Sequence, residues 1–248
     1  MGEALCLLLV GHALGDFYSQ SDRLASEKEL LRTAMLHHCV LYAAGMAVAI
    51  AVLAYGLQCD LRAAALAWVA LCLAHALVDF VVRPNLIRSL SGSLRPFAWD
   101  QAIHLACCLG AALCIAPWCA SGLSAYWGDS LVWAVSLLLA GAPVCVLVKL
   151  VLGDLRQSAQ EPSDTAVKPG ELLNSGRAIG MLERVLVCTL ALLGEFSAIA
   201  FVITAKSIAR YEKMKDDKDF AEIYLVGTLA SVASAIVVPL FVRWAVAL

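Results

Sequence analysis

The stretch HALGDF at residues 12–17 recurs as HALVDF at residues 75–80. Each copy is followed by a polar loop and then by an apolar stretch with a further histidine, His38 after the first and His104 after the second. The recurrence predicts a helical hairpin that is present twice in the first half of the chain. Internal repeats are common in membrane folds, and binding sites often form where the repeats meet.

The composition indicates a membrane protein. Of the 248 residues, 62% are hydrophobic and only 15% are charged, and the mean hydropathy is +0.82. Soluble domains carry about a quarter charged residues, so a water-soluble fold does not fit this chain. The net charge of −2 and the absence of a long basic run exclude nucleic acid as the expected partner. Membrane lipids are the expected surroundings.

Apolar stretches of near-spanning length predict an all-α, polytopic transmembrane bundle of about six or seven helices. The first stretch is short, so it could be a re-entrant segment rather than a full span. A polar segment at 153–176 is typical of a flexible linker. It separates a transmembrane bundle at 1–152 from a C-terminal transmembrane part at 177–248. The stretches run over 3–20, 33–56, 61–83, 97–120, 129–152, 178–205 and 221–247.

Histidine and aspartate recur four residues apart in the first half. On a helix this spacing places both side chains on one face, about one turn apart, so that both can reach one ion. Imidazole nitrogen and carboxylate oxygen suit Zn²⁺ first, with Mn²⁺ or Fe²⁺ as alternatives. His38 joins the set, whereas the adjacent His37 faces elsewhere. The candidate metal ligands are His12, Asp16, His38, His75, Asp79, Asp100 and His104.

The same residues also fit a structural polar network, and this alternative stays open. A carboxylate at the centre of a membrane helix costs roughly 2.5–3.5 kcal/mol on insertion scales, so such groups usually have partners or functions. Several of them together favour a metal site. Seven ligands exceed the four that one tetrahedral zinc needs, which indicates one or two ions. A surplus carboxylate, Asp100, is the candidate general base.

The order of the apolar stretches places all candidate ligands at one membrane face, because successive spans alternate in direction. The loops on that face, 21–32 and 84–96, are rich in arginine and lysine. The opposite loops, near 57–60 and 121–128, contain neither. The positive-inside rule therefore predicts an inner-membrane protein whose metal site faces the cytoplasm.

The ten cysteines lie mostly inside apolar stretches, where they are typical small packing residues. Because no CxxC pair occurs, a thiolate metal site is not expected. The packing assignment covers Cys72, Cys107, Cys108, Cys114, Cys145 and Cys188.

Charged residues in the second half allow two interpretations. Cations near helix ends commonly extend to the membrane interface, but they also hold phosphate-bearing substrates. Glu195 interrupts the stretch 178–205 and favours a basic partner. Both ends of that stretch are basic, which conflicts with one full span and indicates a re-entrant or tilted segment. The candidate substrate-binding residues are Arg177, Arg184, Lys206 and Arg210.

Seven stretches carry a family resemblance. In the first half they are GHALGDFYSQSDRLA, LHHCVLYA, HALVDF and DQAIH, and in the second half GRAIGMLER, TAKSIARYE and AEIYLVGTLAS. Together they resemble the bacterial membrane family called domain of unknown function 3307. The N-terminal pattern is also similar to that of membrane-bound metal-dependent hydrolases, which implies a hydrolase by analogy. The resemblance implies the same seven metal positions, with His37 as a departure from the single histidine expected there.

The leading hypothesis is a membrane-embedded, metal-dependent hydrolase of a lipid or phosphoester near the cytoplasmic leaflet. The alternatives are a metal or proton transporter and a non-catalytic membrane effector with a structural metal. The absence of a GxSxG motif disfavours a serine lipase. The sequence leaves the substrate and the oligomeric state open.

Overall fold

The computed structural model describes residues 1–28, 30–87, 90, 93–120, 122, 125–159 and 171–247, without the side chains of 86–87, 125–126, 156–159 and 171–177. The helices are α1 (Gly2–Ala13), α2 (Asp22–Glu27), α3 (Arg32–Gly56), α4 (Leu61–Leu77), α5 (Leu94–Ile115), α6 (Ala125–Ala140), α7 (Ala142–Ala159), α8 (Glu171–Leu193), α9 (Phe196–Ala209), α10 (Tyr211–Asp216) and α11 (Lys218–Val246). Two π-helical segments, Leu14–Tyr18 and Val78–Ile87, continue α1 and α4.

The predicted all-α fold is confirmed. No strand occurs in the described part of the chain, and the backbone bridge between Cys59 and Cys119 is isolated. Five helical segments are long and apolar enough to cross a membrane, so the protein is a multi-pass membrane protein by length and composition. They are Arg32–Gly56, Leu61–Asn85, Leu94–Trp118, Trp127–Leu155 and Lys218–Val246.

The chain divides into two compact units. Unit 1 comprises Met1–Leu138 with Val242–Leu248, and unit 2 comprises Leu139–Phe241. The boundary between the units lies at Leu138, whereas the sequence analysis ends the first bundle at residue 152. The polar segment 153–176 is helical at both ends, because α7 continues to Ala159 and α8 begins at Glu171. Residues 160–170 lie outside the described part.

Unit 1 is built on a ring of four helices, in which α1 packs against α3 and α5, and α4 packs against the same two helices. Glycines bring α1 and α3 into close contact. A Cβ on Gly11 would lie 2.7 Å from the Ala49 Cβ, and one on Gly15 would lie 2.7 Å from the Tyr42 Cα. Small residues four apart commonly permit such backbone approach in membrane helices. This contact brings the end of α1 beside the beginning of α3.

The two copies of the repeated motif have the same local structure. His12 lies in the last turn of α1 and Asp16 in the π segment that follows. His75 and Asp79 occupy the equivalent places at the end of α4 and in its π segment. A π turn holds an extra residue and is frequent at functional sites. The shared change from α to π supports a duplicated hairpin.

In unit 2, the stretch 178–205 is broken rather than continuous. Gly194, with φ of +79°, ends α8, and α9 begins at Phe196. Glu183 of α8 and Lys206 of α9 are equally far along the chain from this break, and their charged atoms lie 2.5 Å apart. The two helices therefore run antiparallel. Both basic ends of the stretch consequently lie on the same side of the hairpin, which removes the conflict with the positive-inside rule.

We expect Gly194→Ala to destabilise this hairpin, because a Cβ disfavours the left-handed conformation at the turn. The expected loss in the free energy of unfolding is about 1 kcal/mol. Gly110→Ala is the matched control, since an added Cβ meets no atom within 4 Å there. Thermal unfolding in detergent should show a lower midpoint for Gly194→Ala than for the unsubstituted chain. The midpoint of Gly110→Ala should not be lowered. Equal midpoints would contradict the assignment of the turn.

Candidate metal centre

All seven predicted ligands lie at one end of the four-helix ring, and all are buried. Two pairs come from the ends of α1 and α4, His38 comes from the second turn of α3, and Asp100 and His104 come from the first three turns of α5. The fractional exposure of every one is 5% or less, whereas the neighbouring His37 is exposed. The structure therefore brings together the set His12, Asp16, His38, His75, Asp79, Asp100 and His104.

Three of these side chains present ligand atoms in a nearly equilateral triangle. The Nε2 atoms of His38 and His75 lie 3.2 Å apart. The Asp79 Oδ2 lies 3.2 Å from the first nitrogen and 3.4 Å from the second. Ligands at 2.0–2.1 Å from a tetrahedral zinc are separated by about 3.3 Å. The triangle thus has the dimensions of three corners of a zinc site.

Asp16 offers a fourth ligand atom. Its Oδ1 lies 3.2 Å from the His38 Nε2, and Asp16, His38 and His75 form a group whose ligand atoms all lie within 4.8 Å of one another. His38 Nε2 is thereby surrounded by an imidazole nitrogen and two carboxylate oxygens. One ring nitrogen carries either one proton or one lone pair, so it can serve only one of these neighbours. A metal ion bound among these groups would accept a lone pair from each imidazole nitrogen and each carboxylate oxygen at once.

His104 has the hydrogen bonding of a metal-binding histidine. Its Nδ1 donates to the backbone carbonyl of Asp100 over 2.9 Å. This bond leaves the lone pair of the neutral ring on Nε2, which is buried and has no hydrogen-bond partner among the described residues. The ring centroid lies 4.7 Å from that of His75 and 5.4 Å from that of His12. A ligand atom therefore stands beside the triangle, as a second ion would require.

Gln101 joins the remaining residues and was missed in the sequence. Its Oε1 accepts from the His12 Nε2 over 3.0 Å. Its amide nitrogen donates to Asp16 over 3.0 Å and to Asp100 over 3.2 Å. His12 therefore lies outside the triangle, with its Nε2 proton engaged. The Asp100 Oδ1 receives no hydrogen bond from the described residues. Gln101 lies in the stretch DQAIH next to Asp100, but nothing in its residue type marked it as a component of the site.

Two further residues complete the wall of the site. The Lys28 Nζ, buried at the end of α2, lies 3.1 Å from the His38 Nε2 and 3.7 Å from the Asp16 Oδ1. The Tyr42 ring stacks on His75 with centroids 3.6 Å apart. No sequence pattern distinguishes Lys28 from the other basic residues of its loop. Its burial shows that it is a component of the centre, whose positive charge faces the carboxylates.

Cys39 offers a potential sulfur ligand that was not expected. Its Sγ belongs to a second group, with His75 and Asp79, whose ligand atoms lie within 4.8 Å of one another. A single cysteine beside a histidine leaves no CxxC signature, which explains why the sequence did not indicate it. Thiolate, imidazole and carboxylate together favour zinc over manganese.

The opposite end of the ring is closed by a disulfide. Cys59, between α3 and α4, is bonded to Cys119, beyond α5. The backbone amide of Asp60 also donates to the carbonyl of Trp118 over 3.0 Å. The distance along α3 from His38 to Gly56 is about 27 Å, close to the thickness of the hydrocarbon core. The disulfide and the candidate metal centre therefore lie at opposite membrane faces of unit 1.

The predicted substrate-binding cations belong to unit 2. Arg184 is buried, and Lys206 is paired with Glu183 rather than free. Arg210 lies exposed at the end of α9, and the side chain of Arg177 lies outside the described part. Glu195, for which a basic partner was expected, lies exposed at the turn between α8 and α9.

Comparison with known protein families yields a match over half of the chain. The family described as "Protein of unknown function (DUF3307)" matches residues 4–127. The chain belongs to this family. Neither a curated protein nor a solved structure matches it. In this DUF3307 member, the matched segment contains all seven candidate ligands together with Lys28, Cys39 and Gln101, whereas the stretches of the second half lie outside the match.

The close approach of α1 and α3 in this DUF3307 member gives a test of the geometry. A methyl group at residue 15 would force α1 away from the α3 backbone and carry Asp16 away from His38. We expect Gly15→Ala to lower the amount of Zn²⁺ bound per chain and to destabilise the fold by about 1–3 kcal/mol. Gly128→Ala adds the same methyl in open space and should change neither. Unchanged zinc content in Gly15→Ala, measured by elemental analysis, would contradict this geometry.

Proposed function

We propose that unit 1 is a membrane-embedded, metal-dependent hydrolase that acts on a lipid or phosphoester near the cytoplasmic leaflet. The observation that carries the proposal is the triangle of His38, His75 and Asp79 ligand atoms. The sides of this triangle match those of a zinc site, its three residues are buried, and the Asp79 Oδ2 has no hydrogen-bond partner among the described residues. One or two divalent ions, with zinc first and manganese or iron as alternatives, would be held there.

The residues around the triangle suit hydrolysis. A divalent ion supplies Lewis acidity and lowers the pKa of a bound water. Asp100 is the candidate general base, because its Oδ1 is buried and receives no hydrogen bond from the described residues. Gln101 fixes the other oxygen of that carboxylate by donating to it. Lys28 provides a positive charge that would face the negative charge developing on a substrate oxygen.

The depth of the site suits an ester of a membrane lipid. His38 lies six residues after Arg32, the first residue of α3, which is about 9 Å along the helix. That depth corresponds to the boundary between headgroups and acyl chains. The preceding Leu30 and Leu31 are exposed, so they can face lipid beside the site. A headgroup linkage could thus reach the centre while its chains remain in the bilayer.

Two features support a cytoplasmic orientation of the site in a bacterial inner membrane. The loops at its end of unit 1, 21–32 and 84–96, are rich in arginine and lysine, whereas the opposite loops, 57–60 and 121–128, contain neither. The disulfide of Cys59 and Cys119 lies at the other end, and disulfides persist in oxidising compartments such as the periplasm. The first argument depends on charge and the second on redox chemistry, and they agree.

Lys28 favours transport as a second candidate function. Its ammonium group lies beside both Asp16 and His38, where a metal ion would also bind. A cation that displaces Lys28 on entering and is displaced by it on leaving would be exchangeable, as a transporter requires. Uptake of Zn²⁺ into proteoliposomes with no hydrolysis of phospholipids or phosphodiesters would favour this candidate over the hydrolase.

The metal assignment predicts that only one of two adjacent histidines is needed for zinc binding. Loss of an outer hydrogen-bond partner already weakens metal binding by about 10–100-fold, so loss of a ligand should weaken it at least as much. We therefore expect His38→Ala to lower zinc affinity by about a hundredfold or more and to abolish hydrolysis. His37→Ala, whose side chain is exposed, should retain both. Equal zinc content in the two variants, by elemental analysis, would refute the metal centre.

The role of Asp100 is separable from metal binding. Asp100→Asn should retain zinc but lower kcat by about 10²–10⁴-fold, the usual contribution of a general base. Hydrolysis of a panel of phospholipids and phosphodiesters provides the assay. Full activity in this variant would remove Asp100 from the mechanism, and loss of zinc would make it a ligand instead.

The orientation is tested by labelling in intact cells. A cysteine introduced at Ser26, which is exposed on α2, should react with a membrane-impermeant maleimide only after lysis. A cysteine at Arg62, exposed at the opposite end of unit 1, should react before lysis. The unsubstituted chain measures the background from the eight free cysteines. Reversed labelling of the two positions would overturn the cytoplasmic assignment.

A further inference from the structure

Unit 2 contains a buried arginine outside the family match and outside the metal centre. The side chain of Arg184, on α8, is 4% exposed. Its Nε donates to the carbonyl of Ala140 over 3.0 Å, and its Nη1 donates to the Ser231 hydroxyl over 3.4 Å. Its Nη2 is buried and has no hydrogen-bond partner among the described residues. The guanidinium therefore retains unused donors in a buried place.

No carboxylate of the described residues neutralises this guanidinium. The adjacent Glu183 is engaged by Lys206, with charged atoms 2.5 Å apart. The two groups that Arg184 contacts, a carbonyl and a hydroxyl, are uncharged. A buried cation without a counter-charge is unfavourable, so buried charges are normally paired. The missing partner is an anion.

The face of α11 that contacts Arg184 carries further hydroxyl groups and no carboxylate. Ser231 and Thr228 are buried one turn apart on this face. Tyr224 lies one further turn away, and its buried hydroxyl has no hydrogen-bond partner among the described residues. Gly180, one turn before Arg184 on α8, lets the guanidinium lie close to the helix backbone, because a Cβ there would be only 3.3 Å from the Nη1. Hydroxyls beside a guanidinium are groups that bind phosphate oxygens.

We propose that Arg184, with Ser231 and Thr228, forms an anion site in unit 2 for a phosphate group. The chemistry fits a free phosphate and the phosphodiester of an anionic lipid headgroup alike. In both, two oxygens would accept from the guanidinium, whose planar fork matches phosphate bidentately. The site is independent of the metal centre, because every contact that defines it lies within unit 2.

The test uses the full chain in phosphatidylcholine nanodiscs and two probes. Equilibrium dialysis measures the binding of inorganic phosphate, and native mass spectrometry counts the phosphatidylglycerol retained from mixed nanodiscs. Saturable phosphate binding identifies a free anion, whereas retained phosphatidylglycerol identifies a headgroup. We expect Arg184→Gln to weaken the binding of whichever probe the wild type binds by about tenfold or more. Lys215→Gln, an exposed cation of unit 2, should leave it unchanged.

Ser231→Ala protects the test against misfolding of the arginine variant. It removes one hydroxyl, keeps Arg184 and its bond to Ala140, and should weaken binding about fivefold. Binding that is absent in the wild type, or unchanged in Arg184→Gln, would overturn the proposal. Arg184 would then serve only to bond the carbonyl of Ala140 where α6 ends.

Discussion

The structure of unit 1 depends on the burial of many ionisable side chains in an apolar helix ring. Carboxylates and imidazoles are unfavourable there unless other groups or an ion balance them. The four helices therefore have to present these side chains to one another at one level. The glycine contact between α1 and α3 and the two π segments meet this requirement. The packing of the ring and the geometry of the candidate metal centre therefore depend on the same buried side chains.

Much of this arrangement is visible in the sequence. The His12 and Asp16 spacing, repeated at His75 and Asp79, predicts shared helix faces, and the alternation of spans predicts a common membrane end. Both follow from helix geometry and from the length of apolar stretches, which need no tertiary information. The same reasoning could not tell which of the seven candidate ligands lie at the centre of the site and which lie at its edge. It does not show that His12 is engaged by Gln101 while His38 stands at the centre.

Other features depend on contacts between distant parts of the chain. Cys59 and Cys119 are separated by 60 residues and share no local motif, so their bond follows only from the ring. Lys28 resembles its basic neighbours until α2 is placed over the centre. The turn at Gly194 did have a signal, since basic residues at both ends of one apolar stretch are incompatible with a single span. The π segments had none, because the motif fits an ordinary α-helix equally well.

The central claim is that this ring holds a transition-metal ion through imidazole and carboxylate groups. X-ray absorption at the zinc edge on the purified full chain tests it most directly. The account predicts nitrogen and oxygen neighbours at about 2.0–2.1 Å, with outer scattering from imidazole rings, and a sulfur neighbour at about 2.3 Å if Cys39 is bound. A zinc ion surrounded only by water oxygens, or no stoichiometric zinc at all, would contradict it.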